Sequence, residues 1–316
     1  MPALNIVVLN KIAERHMTAI STAAPDSSVI VAELGDAAKY MDNCDVLVAW
    51  GWMDIRTLLS NAPKLRWIHV LSAGVENILC PQLESSSVII TNSKGIHGIP
   101  VSEHVLAMML TFSRGFNFFI RNQLNREWKR ANVDEIHNKT IGIVGLGSIG
   151  REIAKKAKGL GMNVVAVKKQ ITTELFVDKL FSPEQLNDML ALSDFVVSAL
   201  PLVEETREYF KLEQFSAMKK SAYFINIARG GVVHEAALVT ALQQGLIKGA
   251  GLDVFDHEPL QNDSPLWEMP NVLITPHIAA LSPYYLDRAM KLFADNLGRF
   301  VKDGEMYNLI DKSKGY

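Results

Sequence analysis

Residues 145–150 read GLGSIG, and the residues on either side of them differ in kind. Before them stands TIGIV, short, apolar and partly β-branched, the pattern of a buried strand. After them residues 151–158 have the spacing of an amphipathic helix. A strand that becomes a helix across three spaced glycines has few structural solutions. Gly145 permits a tight turn, Gly147 lets a ligand approach the backbone, and Gly150 lets the helix pack close on the strand. The helix start then offers unpaired N–H groups and the positive end of its dipole, which suits a phosphate. The loop of Gly145, Leu146, Gly147, Ser148, Ile149 and Gly150 therefore reads as the pyrophosphate cradle of a bound dinucleotide. The next strand, NVVAVKKQ, would end in an acidic residue if it held the ribose hydroxyls of NAD. Lys168 and Lys169 stand there instead. A cation pairs with the 2′-phosphate of NADP where a carboxylate would repel it, so the sequence favours NADP, with NAD as the alternative.

At 316 residues the chain is roughly twice the usual domain length, which predicts two domains. Apolar runs at 6–9, 46–50, 67–71 and 88–90 alternate with helical stretches, the βα rhythm of a parallel sheet. Near residue 100 the rhythm stops. Pro100 can sit in the first turn of a helix, and apolar residues recur through Val101, Val105, Met108, Met109 and Phe112, which predicts one long helix continuing past Phe119. Strands resume at 140–144, 163–167, 194–199, 223–227 and 249–253. A last amphipathic stretch, 284–301, suggests that the tail returns to the first domain. The expected fold is α/β: two Rossmann-like domains, each a doubly wound parallel sheet, with an interdomain active-site cleft. Residues 1–98 plus 285–316 form the expected substrate-binding domain and residues 99–284 the dinucleotide-binding one.

Several function classes fit poorly. A net charge of −2 with both signs interspersed makes no basic footprint for nucleic acid. No apolar run approaches the roughly 18 to 20 residues of a membrane span. Residues 1–10, MPALNIVVLN, read as a buried strand rather than a secretory signal, so a cytoplasmic protein is expected. Cys44 and Cys80 are too few to staple the fold and read as buried, reduced thiols. The histidines form no HExxH, and His97 and His104 lack a third ligand, so no metal is expected.

Three later segments, FINIARGGVVHE, GLDVFDHEPL and VLITPHIAAL, each place a polar residue beyond the end of a strand. Ligands of open α/β sheets bind at those ends, so Arg229, Glu258 and His277 can converge. Together with GLGSIG and the loop LSAGVENI at 71–78, these segments resemble the D-isomer-specific 2-hydroxyacid dehydrogenase family, in the same order and over nearly the whole chain. The resemblance implies two Rossmann-like domains, reversible reduction of a 2-keto acid, and usually a homodimer. It implies that Arg229 binds the substrate carboxylate and polarises the keto oxygen. His277 would be the proton donor, with Glu258 orienting it and favouring its charged form. Ala73 and Gly74 would present backbone N–H groups to the carboxylate, with Trp50 as a candidate wall of the substrate site. Asp253 would hold the nicotinamide carboxamide, and Pro201, Thr206 and Ala228 would lie along the cofactor.

Two departures stand out: the missing acid at Lys168, and Ala280 where many relatives carry glycine. Glu258 argues against a formate dehydrogenase, whose relatives use glutamine there. No regulatory domain is expected after the second long helix. The lysine pair and Trp50 bring the chain nearest to the NADPH-preferring glyoxylate and hydroxypyruvate reductases of the family. A phosphoglycerate-type dehydrogenase without its regulatory domain, a cofactor-sensing binding protein on the same scaffold, and an unrelated Rossmann enzyme are the alternatives.

Overall fold

The structure is a computed structural model that describes residues 3–75 and 77–312. Met1 and Pro2 of the expected opening strand, and Glu76 of the LSAGVENI loop, lie outside the described residues. The chain forms two compact units: Met1–Ile96 with Ser282–Tyr316, and His97–Leu281. Both boundaries fall a few residues before those drawn from sequence, the first because the helix Gly98–Ser113 belongs wholly to the second unit.

In the first unit, β1 (Asn5–Val8), β2 (Ser28–Val31), β3 (Val46–Ala49), β4 (Trp67–Val70) and β5 (Ile89–Asn92) make one parallel sheet, ordered β2-β1-β3-β4-β5. Side chains alternate across a strand, and here both faces are apolar. Val7, Leu47, Ile68 and Ile90 join one core. Ile6, Val8, Val46, Val48 and Trp67 join the other, which Met290, Phe293 and Leu297 of the helix Tyr285–Phe300 cover. A parallel sheet buried on both sides needs such unbroken apolar runs. β2 was not anticipated: it is a short edge strand and only partly buried, although Val29, Ile30 and Val31 are apolar.

The second unit has seven parallel strands: β6 (Thr140–Val144), β7 (Asn163–Val167), β8 (Lys179–Phe181), β9 (Phe195–Ser198), β10 (Tyr223–Asn226), β11 (Gly249–Leu252) and β12 (Val272–Ile274). Their order is β12-β11-β10-β9-β6-β7-β8. From β6 the chain first builds outward through β7 and β8, then returns to the other side of β6 at β9. That reversal is the switch point at which such sheets bind ligands. β8, a three-residue edge strand, was also absent from the sequence reading, whereas β12, equally short, is the strand read in VLITPHIAAL. The two faces are again separately packed, Val144, Val165, Val196 and Phe224 on one side, Ile143, Val164, Val197 and Ile225 on the other.

The single helix expected past Phe119 is two helices, Gly98–Ser113 and Phe116–Leu124. Gly115 stands between them at φ +69°, a left-handed conformation that glycine takes without strain and that ends an α-helix. Among the described residues no helix is long and apolar enough to cross a membrane.

Candidate active site

The glycine loop lies at the end of β6, beside the switch point. Register pairs Val144 with Ser198, which brings Gly145 against Ala199. A Cβ on Gly145 would lie 2.6 Å from the Ala199 carbonyl oxygen, and φ there is +100°. A Cβ on Gly150 would lie 2.3 Å from the Gly145 oxygen, so the helix Ser148–Gly159 can begin this close to the strand only with glycine there. Gly147 differs, since a Cβ there would meet open space. Among the described residues no side chain caps the helix, which leaves its first N–H groups available to an anion. This cradle fits a pyrophosphate. Leu146 takes a different part from the one its place in the motif suggests, because its side chain is buried in the core beneath.

Arg229, Glu258 and His277 lie on the same unit, each beyond the end of a strand. Arg229 follows β10 and donates from Nη1 to the Ala228 carbonyl at 2.8 Å. Among the described residues no carboxylate pairs with it, so its guanidinium fork keeps donors for an incoming anion. His277 follows β12 and Glu258 follows β11, and their side chains meet with Nδ1 to Oε2 at 2.7 Å. The other carboxylate oxygen of Glu258 accepts the Phe255 N–H at 3.0 Å, which holds the acid in place. An ionised Glu258 requires the proton on Nδ1, so Nε2 is left to act elsewhere. The pair is partly open to solvent.

Residues 106–279 match the family model described as D-isomer specific 2-hydroxyacid dehydrogenase, NAD binding domain. The chain is 38% identical over 264 residues to a glyoxylate reductase of Pyrococcus horikoshii, covering 79% of this chain and 77% of that one. It belongs to the D-isomer-specific 2-hydroxyacid dehydrogenase family. Among solved structures, a family protein of Aeromonas salmonicida superposes with a TM-score of 0.85 at 32% identity, covering 98% of this chain and 100% of that one. An NADPH-dependent glyoxylate/hydroxypyruvate reductase of Sinorhizobium meliloti, solved with NADP and sulfate, gives a TM-score of 0.79 at 30% identity, covering 99% of this chain and 100% of that one. As a member of this family the protein is an NAD(P)-dependent oxidoreductase that interconverts a 2-keto acid and a D-2-hydroxy acid.

Within this dehydrogenase Asp253 has more to do than the sequence indicated. It is buried, and its Oδ1 accepts from the Thr275 hydroxyl at 2.6 Å and the Ile278 N–H at 2.9 Å, while Oδ2 accepts from the Ala279 N–H at 2.9 Å. The His277 N–H bonds the Asp253 carbonyl at 2.9 Å. Both oxygens thus grip the segment that carries His277, whose φ of +53° a non-glycine residue seldom adopts. His104 Nε2 lies 3.0 Å from the Thr275 hydroxyl, completing the network, and burial lowers its pKa. Thr275 was not singled out from sequence: nothing local marks a threonine whose partner lies on another strand.

Thr206 is likewise buried. Its hydroxyl donates to the Pro201 carbonyl at 2.5 Å and receives the Val203 N–H at 2.9 Å, so it braces the loop after β9 that bears Pro201. Lys169 is exposed. Lys168 is not a free cation, for Glu174 holds it at 2.6 Å.

In the first unit, Ala73 and Gly74 lie in a braced loop. The Ala73 carbonyl accepts from Asn92 Nδ2 at 2.5 Å and the Gly74 carbonyl from the Ser72 hydroxyl at 2.8 Å. Among the described residues no acceptor takes the two N–H groups. Trp50 stacks on Tyr285 at 5.5 Å between centroids and donates from Nε1 to Asn10 at 3.0 Å, so its ring is fixed rather than mobile.

Proposed function

We propose that this dehydrogenase is an NADPH-dependent reductase of small 2-keto acids, with glyoxylate and hydroxypyruvate as its leading substrates. The observation that carries the reading is the His277–Glu258 pair, which leaves Nε2 of the imidazole available on a sheet that also bears the glycine cradle and an Arg229 with donors to spare. The names of the relatives support the substrate class, and the solved relative containing NADP supports the cofactor.

In this reading Arg229 clamps the substrate carboxylate and lies against the keto oxygen, withdrawing charge from the carbonyl. Ala73 and Gly74 have backbone N–H groups to offer a substrate carboxylate, and Trp50 is the candidate wall that limits the size of the acid. Protonated His277 carries a second N–H at Nε2 and passes that proton to the oxygen as the carbonyl is reduced. Glu258 stabilises the imidazolium before the transfer, and Asp253 holds the backbone that aims it. The N–H groups of Gly147, Ser148, Ile149 and Gly150 hold the pyrophosphate, with Pro201, Thr206 and Ala228 along the nicotinamide half and Lys168 and Lys169 at the 2′-phosphate. When bound, NADPH supplies the hydride.

We also assign the protein to the cytoplasm, consistent with two buried free cysteines, and to a homodimer. The helix Phe116–Leu124 supports the latter, since Phe116, Ile120 and Leu124 recur at four-residue spacing with large exposed areas.

The deciding assay follows the absorbance of NADPH and of NADH against glyoxylate, hydroxypyruvate, pyruvate and bulkier 2-keto acids. The expected result is turnover of the two smallest acids with higher kcat/KM for NADPH. Turnover of bulky acids alone would overturn the substrate assignment, and a preference for NADH would overturn that of the cofactor. Absence of turnover with every acid would leave the binding-protein alternative.

A further inference from the structure

Lys168 and Arg151 come together at the ribose side of the glycine loop. Lys168 directly follows β7, the position at which a Rossmann site recognises the 2′-substituent of the adenosine ribose. Arg151 follows Gly150 in the first turn of the helix Ser148–Gly159. Between the two cations lies a carboxylate that the motif does not contain. Glu174 Oε1 accepts from Lys168 Nζ at 2.6 Å and from Arg151 Nη2 at 2.8 Å, and Oε2 accepts from Arg151 Nε at 2.8 Å. The guanidinium thus makes a two-pronged bond and the ammonium a third. The Glu174 side chain is only 10% exposed.

This is the partner chemistry of a phosphate monoester. Arg and Lys donors converge on neighbouring oxygens of one anion, the arrangement that selects phosphate and carboxylate alike. The loop that delivers Glu174 is tied at both ends: the Lys168 N–H bonds the Phe181 carbonyl at 3.0 Å, and the Asp178 N–H bonds the Val164 carbonyl at 2.7 Å. Glu174 is therefore returned to the cations by the chain itself. Two anions cannot share the pair without like-charge repulsion.

We propose that Glu174 is a specificity-determining residue, an internal anion on the Lys168–Arg151 pair that the 2′-phosphate of NADP must displace. The proposal rests on the reading of the enzyme as NADPH-linked. Hydrogen bonds from Arg151, then Lys168, hold the Glu174 carboxyl down to about 2, so it competes as an anion throughout the neutral range. NADH makes no such demand and leaves the pair closed. Glu174 thus narrows a preference that the two cations alone would make wider, and it sets a conformational cost on NADPH binding that its removal lifts.

The test is calorimetric titration of 2′,5′-ADP and of 5′-AMP into wild type, Glu174→Gln and Glu174→Ala, with melting curves to confirm that each variant is folded. Alanine is included because the glutamine amide oxygen can still accept from Arg151. The expected outcome is a Kd for 2′,5′-ADP lower by on the order of three- to tenfold in the variants, larger for alanine, with 5′-AMP unchanged. Unchanged affinity for 2′,5′-ADP in both folded variants would overturn the proposal. So would weaker binding of 5′-AMP alone, which would make Glu174 an acceptor for the ribose hydroxyls. The wild-type kcat/KM ratio for NADPH over NADH separates the two levels. A wild type that prefers NADH, with tighter 2′,5′-ADP binding in the variants, sinks the cofactor reading and spares Glu174. A wild type that prefers NADPH, with unaltered variants, does the reverse.

Discussion

His277 spends one nitrogen on Glu258 and keeps the other, and in the proposed mechanism that division lets it act as the general acid. Replacing His277 by Asn removes the proton but leaves the glycine cradle intact. We expect kcat to fall by on the order of a hundred- to ten-thousandfold while NADP still binds, measured by steady-state kinetics and fluorescence titration. Glu258→Gln keeps the shape of the pair and removes its charge, so kcat should fall by on the order of tenfold or more while NADP still binds, read by the same kinetics and titration. Full turnover in His277→Asn would mean that another group supplies the proton. At this scale the sequence disclosed residue types and their order: arginine, glutamate and histidine after successive strands. It could not disclose which ring nitrogen is engaged, nor that Asp253 grips residues 275–279 or that Glu174 covers Lys168. Those are contacts between side chains distant along the chain, and no local pattern encodes them.

At the scale of elements, strands buried on both faces were legible because each is a continuous apolar run. β2 and β8 were not, since each is a short edge strand of four or three residues, and so short a run carries no period that separates a strand from another apolar stretch. The two helices at Gly115 looked like one because the apolar period continues across a single glycine. β4 and β5 hold a feature of another kind. His69 is fully buried, its Nδ1 lies 2.9 Å from the Thr91 hydroxyl and its Nε2 lies 3.2 Å from that of Ser93. Ser93 already donates to the Val70 carbonyl, so it accepts from His69 Nε2–H, and the imidazole is neutral. Burial lowers its pKa from 6.5 to about 3. The unfolded chain therefore binds a proton that the folded chain does not between those values. The His69 contribution to stability is whole above pH 6.5 and is lost as pH falls toward 3, at a slope of up to about 1.4 kcal/mol per pH unit. Denaturant melts of wild type and His69→Gln across that range should show this component in wild type alone. Parallel pH dependence in the two proteins would refute it.

At the scale of the whole molecule, the tail decides the composition of the first unit, because the helix Tyr285–Phe300 supplies one cover of a sheet made from residues near the N-terminus. The proposed homodimer also belongs here. Beyond the apolar row of the helix Phe116–Leu124, Trp128 is 98% exposed, an area that a lone chain gains nothing by presenting to water. Trp128→Asp should shift the mass by light scattering from two chains to one, or weaken association by at least tenfold, while leaving the melting of the separated chain unaltered. A wild-type protein that scatters as a monomer at all concentrations would refute the assignment.

The glycine loop, the alternation of βα units and the ordered Arg, Glu and His segments were determined by the sequence alone. Each is a local matter of backbone freedom, side-chain period or motif spacing. Tertiary structure decided the rest. Whether Lys168 meets solvent or Glu174, whether Asp253 faces outward or holds the loop of His277, and whether Trp50 swings or stacks on Tyr285 all depend on residues brought together from far along the chain. The loop at Gly145–Gly150 says that a dinucleotide can bind. The carboxylate folded onto the two cations beside it bears on which dinucleotide does.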